Sequence, residues 1–443
     1  MIWGRHRRRL CHRFRQMQDN EQPPVPAKTQ RSKRRQEATR RAGLGLDWLN
    51  LFVANVQTGF GPFLAVYLTT AGWTQTSIGV ALSIGTVTAM ISQVPAGALV
   101  DAIRRKTRVA VFSILAFTAS ALLFTIEPIP LFVYLGQILH AFSSCTLGPA
   151  IVAMSFAVAG QMALGTRLGR NARFSAIGSG LGAALMGACG YYISERAVFF
   201  LTALFTFPAV AALIPLAGVA DRTPPALRRL RKKDRNKIRL GEMLQTLADR
   251  RLLIFAACVT LFTFANAPLL PLASGAITRR ASEEATLLIA ACIIIPQIIV
   301  ALISPTVGRF AETRGRKIVL LVGFSILPIR GVLLGLVTDP GLVVLIQALD
   351  GIAAACFGVM MPLVTTDIAA RSGHMNLSLG FMGFSVGIGA TLSTTIAGWI
   401  ADTHGEAQAF YSLACVGLLA LLLVGLAMRE TRPEPQPAAE DEV

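Results

Sequence analysis

Acidic side chains are scarce in this chain: 24 Asp and Glu stand against 42 Lys and Arg, and charged residues of both signs make up only 15% of its 443 positions. So little charge excludes an ordinary soluble globule of this length, in which about a quarter of residues are charged. Aromatic residues reach only 7%, and they are not interleaved with the bases on a polar surface, so the net charge of +18 does not read as a nucleic-acid footprint. Histidine is limited to five residues and no His-x-x-x-His pair occurs; a Gly-x-x-x-x-Gly-Lys-Ser/Thr phosphate loop is missing as well. The seven cysteines (Cys11, Cys145, Cys189, Cys258, Cys292, Cys356 and Cys415) have no paired spacing, so neither a metal site nor a redox pair is expected. All but Cys11 sit in apolar segments and read as small buried hydrophobes. With no nucleophile, metal cluster or phosphate loop in view, no enzymatic activity and no cofactor are expected.

What fills the chain instead is apolar. Hydrophobic residues make up 53% and the mean hydropathy is +0.57. The apolar runs repeatedly reach the ~20 residues that cross a bilayer. Twelve are expected, near 47–70, 76–100, 107–126, 129–159, 173–194, 197–219, 251–277, 286–308, 317–337, 341–368, 377–400 and 408–428. The fold class that follows is an all-α membrane protein of twelve transmembrane helices, with segments four and ten long enough to tilt or to extend past the bilayer.

One stretch occurs twice. Gly97-Ala98-Leu99-Val100-Asp101-Ala102-Ile103-Arg104-Arg105-Lys106 answers to Gly308-Arg309-Phe310-Ala311-Glu312-Thr313-Arg314-Gly315-Arg316-Lys317 at one offset (308 − 97 = 312 − 101 = 317 − 106 = 211). Each copy joins two apolar segments. A solvated basic loop that anchors topology accounts for the Arg and Lys, but not for the Gly and the acid at matched spacing. Glycine permits close helix approach inside lipid, and the acid one turn on can pair with a base or cap a neighbouring helix. Two further repeats run in parallel: Gln137, His140 and Gly148 answer to Gln347, Asp350 and Gly358 (347 − 137 = 350 − 140 = 210), and Gly180-Leu181-Gly182-Ala183 to Gly387-Ile388-Gly389-Ala390. A duplicated six-helix unit, two pseudo-symmetric bundles, is the expectation.

The doubled stretch resembles the Gly-x-x-x-Asp-x-x-Gly-Arg-Lys signature of major facilitator superfamily transporters, which lies between their second and third helices with a weaker copy between the eighth and ninth. The resemblance covers roughly residues 46–430. It departs from the pattern at Ala102, where a base is usual, at Arg104, where glycine is usual, and at Glu312, which replaces Asp. It implies that Gly97, Asp101, Arg105, Lys106, Gly308, Glu312, Arg316 and Lys317 belong to loops that gate between inward-open and outward-open states. It implies also that helices one, four, seven and ten line a central cavity. Proton-driven drug exporters of the superfamily commonly carry an Arg where this chain has Gln137, and a Gly-Pro pair in helix five, where this chain has glycines only.

Domain organisation is expected as a disordered basic tail (1–45), an N-terminal bundle (46–220), a basic, partly helical linker (221–250), a C-terminal bundle (251–430) and a short tail (431–443). The tail holds no apolar core of a signal peptide, so no cleavage is expected. Its arginines are placed near anionic lipid. Bases cluster in the even-numbered loops and the tails: Arg104, Arg105, Lys106 and Arg108; Arg167, Arg170 and Arg173; Arg314, Arg316 and Lys317; Arg371. Both termini are therefore expected in the cytoplasm of a cell whose membrane is the bacterial inner one.

Polar groups at membrane depth are candidate pathway residues: Asn55 and Gln57 in the first segment, Gln137 and His140 in the fourth, Asn266 in the seventh, Gln347 and Asp350 in the tenth. For the amides, bonding between helices explains their presence as well as substrate contact does. Gly59-x-Gly61-Pro62, and Pro268 with Pro271, are expected to break the first and seventh helices. Arg330 and Asp350 stand at equal distances from the turn at Asp339-Pro340, hence at one depth, ~15 Å from the outer end at 1.5 Å per residue. Their pairing is predicted, either as a structural lock between helices nine and ten or as a proton-exchanging site. His140 is the matching group in the first half, because imidazole titrates near ~6.5; a hydrogen-bonded core histidine is the alternative. The expected function is alternating-access transport of a small organic solute by a monomer, coupled to protons, with efflux slightly preferred over uptake. A non-transporting sensor is the alternative.

Overall fold

The computed structural model describes residues 27–432, apart from 59, 61, 74, 220–239, 281–284 and 371. Among the described residues there are fifteen α-helices and no strand. That is what lipid requires, since an unpaired backbone group costs several kcal/mol there and only a helix satisfies its own. The first membrane segment is split into α1 (Ala27–Thr58) and α2 (Pro62–Thr70). It is followed by α3 (Gln75–Ala102), α4 (Lys106–Ile126), α5 (Pro130–Ala159), α6 (Leu164–Tyr192) and α7 (Glu195–Ala211). A short α8 (Leu240–Leu247) precedes the second half. There the seventh segment is split into α9 (Arg250–Asn266) and α10 (Leu269–Arg280), and α11 (Ala285–Arg314), α12 (Arg316–Leu336), α13 (Pro340–Ala369), α14 (Met375–His404) and α15 (Glu406–Ala427) complete the bundle. Counting each split segment once gives twelve crossings.

Local chemistry sets the turns. Asp339 caps α13 by accepting from Leu342 N at 2.8 Å, with Pro340 at the first helical position. Ser194 caps α7 and Asp249 caps α9 in the same way. Among the described residues ten helical spans are long and apolar enough to cross a membrane by length and composition. The other two crossings are the split first segment and α6, whose apolar content is diluted by Arg167, Arg170, Asn171 and Arg173. The expected long segments α5 and α13 are 30 residues each. One buried cluster, with Phe117, Phe124, Phe199 and Leu64 at its centre, holds the first half together. A second surrounds Phe255, Phe262, Phe324 and Met360 and takes in Leu164 and Leu168 of α6, so it crosses between halves.

The fold departs from expectation in two places. Residues 27–45, expected to be disordered, belong to α1. Its sequence there is rich in Ala, Arg, Gln and Lys, all good helix formers, and its last turns are pinned: Ala42 is buried and the Gly43 carbonyl accepts from Arg167 Nη1 at 3.0 Å. The fifth segment starts at Leu164 rather than 173, so Arg167, Arg170 and Arg173 are helical and not in a loop. The buried Asp47 of α1 explains this. Its carboxylate takes Arg167 Nη2 on one oxygen and Arg170 Nη2 on the other, at 2.5 Å for the latter, which matches the charge of a helix that would otherwise be too basic to pack. Most of the expected linker, residues 220–239, lies outside the described residues, as do 1–26 of the first tail and 433–443 of the last.

Candidate functional site

Three helices of the second half converge on Arg330. From α12, its guanidinium lies 1% exposed. Nη1 donates to Asp350 Oδ1 at 2.5 Å and to Asn266 Oδ1 at 2.7 Å, and Nη2 donates to Gln347 Oε1. The hairpin geometry of α12 and α13 places Asp350 and Gln347 on one face, one turn apart, and the break after Asn266 ends α9 at that depth. A buried guanidinium is tolerated only with its charge matched and its donors used. The match is incomplete: Arg330 Nε and Gln347 Nε2 are buried without a hydrogen-bond partner among the described residues. Asp350 is the more accessible partner, its side chain 22% exposed.

The corresponding place in the first half is built differently. His140 stacks on Phe60 at 3.9 Å between ring centroids and meets the edge of Phe117 at 5.1 Å. Its Nδ1 is buried without a partner among the described residues. Gln137 is buried with its Oε1 against Gly85, and Asn55 is buried against Gly182 with its Oδ1 unpartnered. Gln57 is exposed and joins neither group. Thus Arg330, Asp350, Gln347 and Asn266 form one polar cluster, while His140 sits in an aromatic nest on the other half, at the position matching Asp350.

The doubled loop stretches bind across the two halves. Asp101, at the end of α3, accepts from the backbone N–H of Leu377 at 2.8 Å and of Asn376 at 3.2 Å, and from Asn376 Nδ2 at 2.6 Å, at the start of α14. Glu312, near the end of α11, accepts from Thr166 N at 2.7 Å and Thr166 Oγ1 at 2.5 Å, at the start of α6. In both cases a carboxylate meets the positive end of a helix dipole. Gly97 and Gly308 are the close contacts one turn earlier: a Cβ on Gly97 would collide with the Asn376 carbonyl, and one on Gly308 with the Gly165 carbonyl. Lower on the same seams Gly380 lies on the Gln93 carbonyl and Gly169 on that of Ser304. All these pairs exchange under one offset (376 − 165 = 380 − 169 = 304 − 93 = 211).

The remaining loop residues do structural jobs. Lys106 Nζ caps α3 through the carbonyls of Val100 and Ile103, and Arg105 is exposed. Arg316, 2% exposed, bridges Asp367 Oδ2 at 3.0 Å and the Ala311 carbonyl at 2.8 Å. Lys317 Nζ donates to the Gly425 carbonyl at 2.7 Å. The residues that sequence reasoning missed are the partners: Thr166, Asn376, Asp47 and Asp367, and Glu430, which accepts from the backbone N–H groups of Arg316 at 2.8 Å and Lys317 at 3.1 Å. Asp47 and Asp367 carried a signal, each being an acid within an apolar segment. Thr166 and Asn376 carried none of their own.

Twelve crossings in two related bundles, a polar cluster at membrane depth and paired contacts between the halves define a membrane transporter. The chain belongs to the Major Facilitator Superfamily, whose family model matches residues 47–300 and 252–443. It is 34% identical over 397 residues to an uncharacterized MFS-type transporter of Mycobacterium tuberculosis, covering 88% of this chain and 94% of the other. A shorter match, 31% over 148 residues and 33% of this chain against 36% of the other, is to Multidrug resistance protein 1 of Bacillus subtilis. Among solved structures, the proton:xylose symporter XylE superposes with a TM-score of 0.69 at 14% identity, over 90% of this chain and 97% of that one. The human organic anion transporter TETRAN does so with 0.66 at 14%, over 87% and 99%. These two establish the fold. The protein is a multi-pass membrane protein that works on a small-molecule substrate from within lipid.

Proposed function

We propose that this transporter moves a small organic solute by alternating access, coupled to protons and directed outward, as a monomer in the bacterial inner membrane with both termini cytoplasmic. The observation that carries the reading is the pairing of Arg330 with Asp350 inside a half-satisfied cluster. Arg330 Nε and Gln347 Nε2 have donors to spare among the described residues, and the Asp350 side chain is 22% exposed. Protonation of Asp350 would release Arg330 toward Gln347, Asn266 or a solute, and solute binding would favour that same exchange. In this reading His140, the counterpart of Asp350 in the first half, is the second proton acceptor. In this reading the seams at Asp101 and Glu312 close the end bearing the basic loops, the end that their charge assigns to the cytoplasm. The outward direction draws on the Bacillus subtilis relative named as a multidrug resistance protein.

The test is reconstitution into vesicles with an imposed pH gradient, screening solutes first by thermal stabilisation of the purified protein. Flux that follows the gradient in the native chain and becomes indifferent to it in Asp350→Asn supports the reading. Unchanged pH dependence in the variant rejects the coupling. Binding without flux for every stabilising solute favours a sensor instead.

A further inference from the structure

At the basic-loop end of the second half, away from the Arg330 cluster, a cavity of about 1020 Å³ opens between the start of α9, the end of α13 and the end of α15. Its charged wall is Arg250, Arg251, Arg429 and Arg432 with Asp249, Asp367 and Glu430. Each acid has a protein partner. Asp249 caps Arg251 N at 2.7 Å, Asp367 is bridged by Arg316 through Oδ2 while its Oδ1 is buried without a partner among the described residues, and Glu430 accepts from the backbone N–H groups of Arg316, Lys317, Thr431 and Arg432. Of the arginines, Arg432 donates to the Thr313 carbonyl at 2.8 Å, while the guanidiniums of Arg250, Arg251 and Arg429 have no acid partner among the described residues. The N-terminus of α9 adds its dipole to the same wall.

We propose that this cavity binds a phosphate-bearing anion. Guanidiniums present paired donors that fit phosphate oxygens, and three of them without an acid partner among the described residues leave positive charge around the cavity for a ligand to neutralise. The cavity is larger than one phosphate needs and has an apolar margin of Ile254, Leu426 and Met428. Leu426 is 86% exposed one turn below Arg429, so an acyl chain could continue outward while its head group sits on the arginines. An anionic phospholipid and a soluble phosphate compound share this chemistry; basic pockets between helices on the cytoplasmic side commonly take anionic head groups.

The experiment titrates detergent-purified full-length protein with dihexanoyl phosphatidylglycerol, dihexanoyl phosphatidylcholine and inorganic phosphate, reading the thermal melting midpoint. Phosphatidylglycerol should raise the midpoint and phosphatidylcholine should not. Stabilisation by inorganic phosphate as well assigns a soluble ligand; its failure to stabilise assigns the lipid. In R250Q/R251Q/R429Q the half-saturating concentration should rise about tenfold or more, whereas R40Q/R41Q, which removes bases from α1, should leave it within about twofold. Equal stabilisation by both lipids, or a triple variant that titrates like the native chain, overturns the proposal. Native mass spectrometry of the unmutated protein covers a triple variant that does not fold: preferential retention of phosphatidylglycerol supports the site, and equal retention of the two lipids overturns it.

Discussion

Asp101 and Glu312 perform the same act in opposite directions: the first reaches from the N-terminal half to the start of α14, the second from the C-terminal half to the start of α6. The two contacts exchange under the offset that relates the halves. A rocking motion that opens this end must break both.

Neutralising them should therefore open the end bearing the basic loops. Asp101→Asn and Glu312→Gln each weaken charge-assisted bonds to backbone N–H groups, by about 1–2 kcal/mol apiece. With spin labels at R105C and S372C, both exposed, in a background without native cysteines, the distance distribution should shift to longer values in either variant. It should shift further in the double variant. An unchanged distribution would separate these acids from gating.

Adding one methyl group to a seam should act through packing instead of charge. Gly97→Ala and Gly308→Ala place a Cβ on a carbonyl of the facing helix, a type of overpacking that costs about 1–3 kcal/mol. The same label pair should report an opened end, with the Asp101 and Glu312 carboxylates still present. Retention of the short distance in both alanine variants would mean that the seam takes up the methyl by local adjustment and that this packing does not hold the end shut.

Removing one partner of the buried pair should cost more than removing both. Asp350→Ala leaves Arg330 unmatched, at about 3–5 kcal/mol, and should lower the melting temperature sharply. Arg330→Met in the Asp350→Ala background should recover much of that loss. If Asp350→Ala melts like the native chain, the pair is not what holds α12 to α13.

Glu430 gives a pH dependence outside the membrane segments. Partial burial works to raise its carboxyl, but the four backbone N–H groups of Arg316, Arg432, Lys317 and Thr431 outweigh it, and the folded group lies below its ordinary value. A lowered carboxyl contributes stability that is complete above the unfolded range, near ~4.3, and that is lost as pH falls through the folded value. Glu430→Gln should thus lower the melting temperature at neutral pH. Its difference from the native chain should narrow only below about pH 4. A difference that stays constant down to pH 3 would show that the backbone contacts, not the charge, matter there.

How much of this was legible in the sequence differs from residue to residue. Arg330 and Asp350 could be set at one depth because a hairpin measures distance from its turn, and the structure puts their charged atoms in contact. Gln347 was marked only as a polar group at membrane depth, and its bond to Arg330 comes from lying one turn from Asp350. Asn266 belongs to the same cluster through a bond spanning 64 positions, and its polarity marked it without naming its partner. Asp101 was marked by repetition, yet its receiver at Asn376 and Leu377 lies 275 positions away. Any helix N-terminus offers the same free N–H groups, so nothing local distinguishes α14. Gln57, equal in type to Asn55, proved exposed, because two residues along a helix turn the side chain to another face.

The amino-acid order by itself determined the number of apolar crossings, their duplication and the placing of charge at their ends, because lipid leaves each crossing only a helix to form and repeats show at a constant offset. The tertiary structure decided which helix ends receive Asp101 and Glu312. It decided that Asp47 draws two arginines into α6, and that His140 lies among aromatic rings while its counterpart Asp350 lies against a guanidinium. These outcomes depend on the angle and rotation at which rigid helices pack, which are set by all the contacts along a seam together and by no single residue's identity.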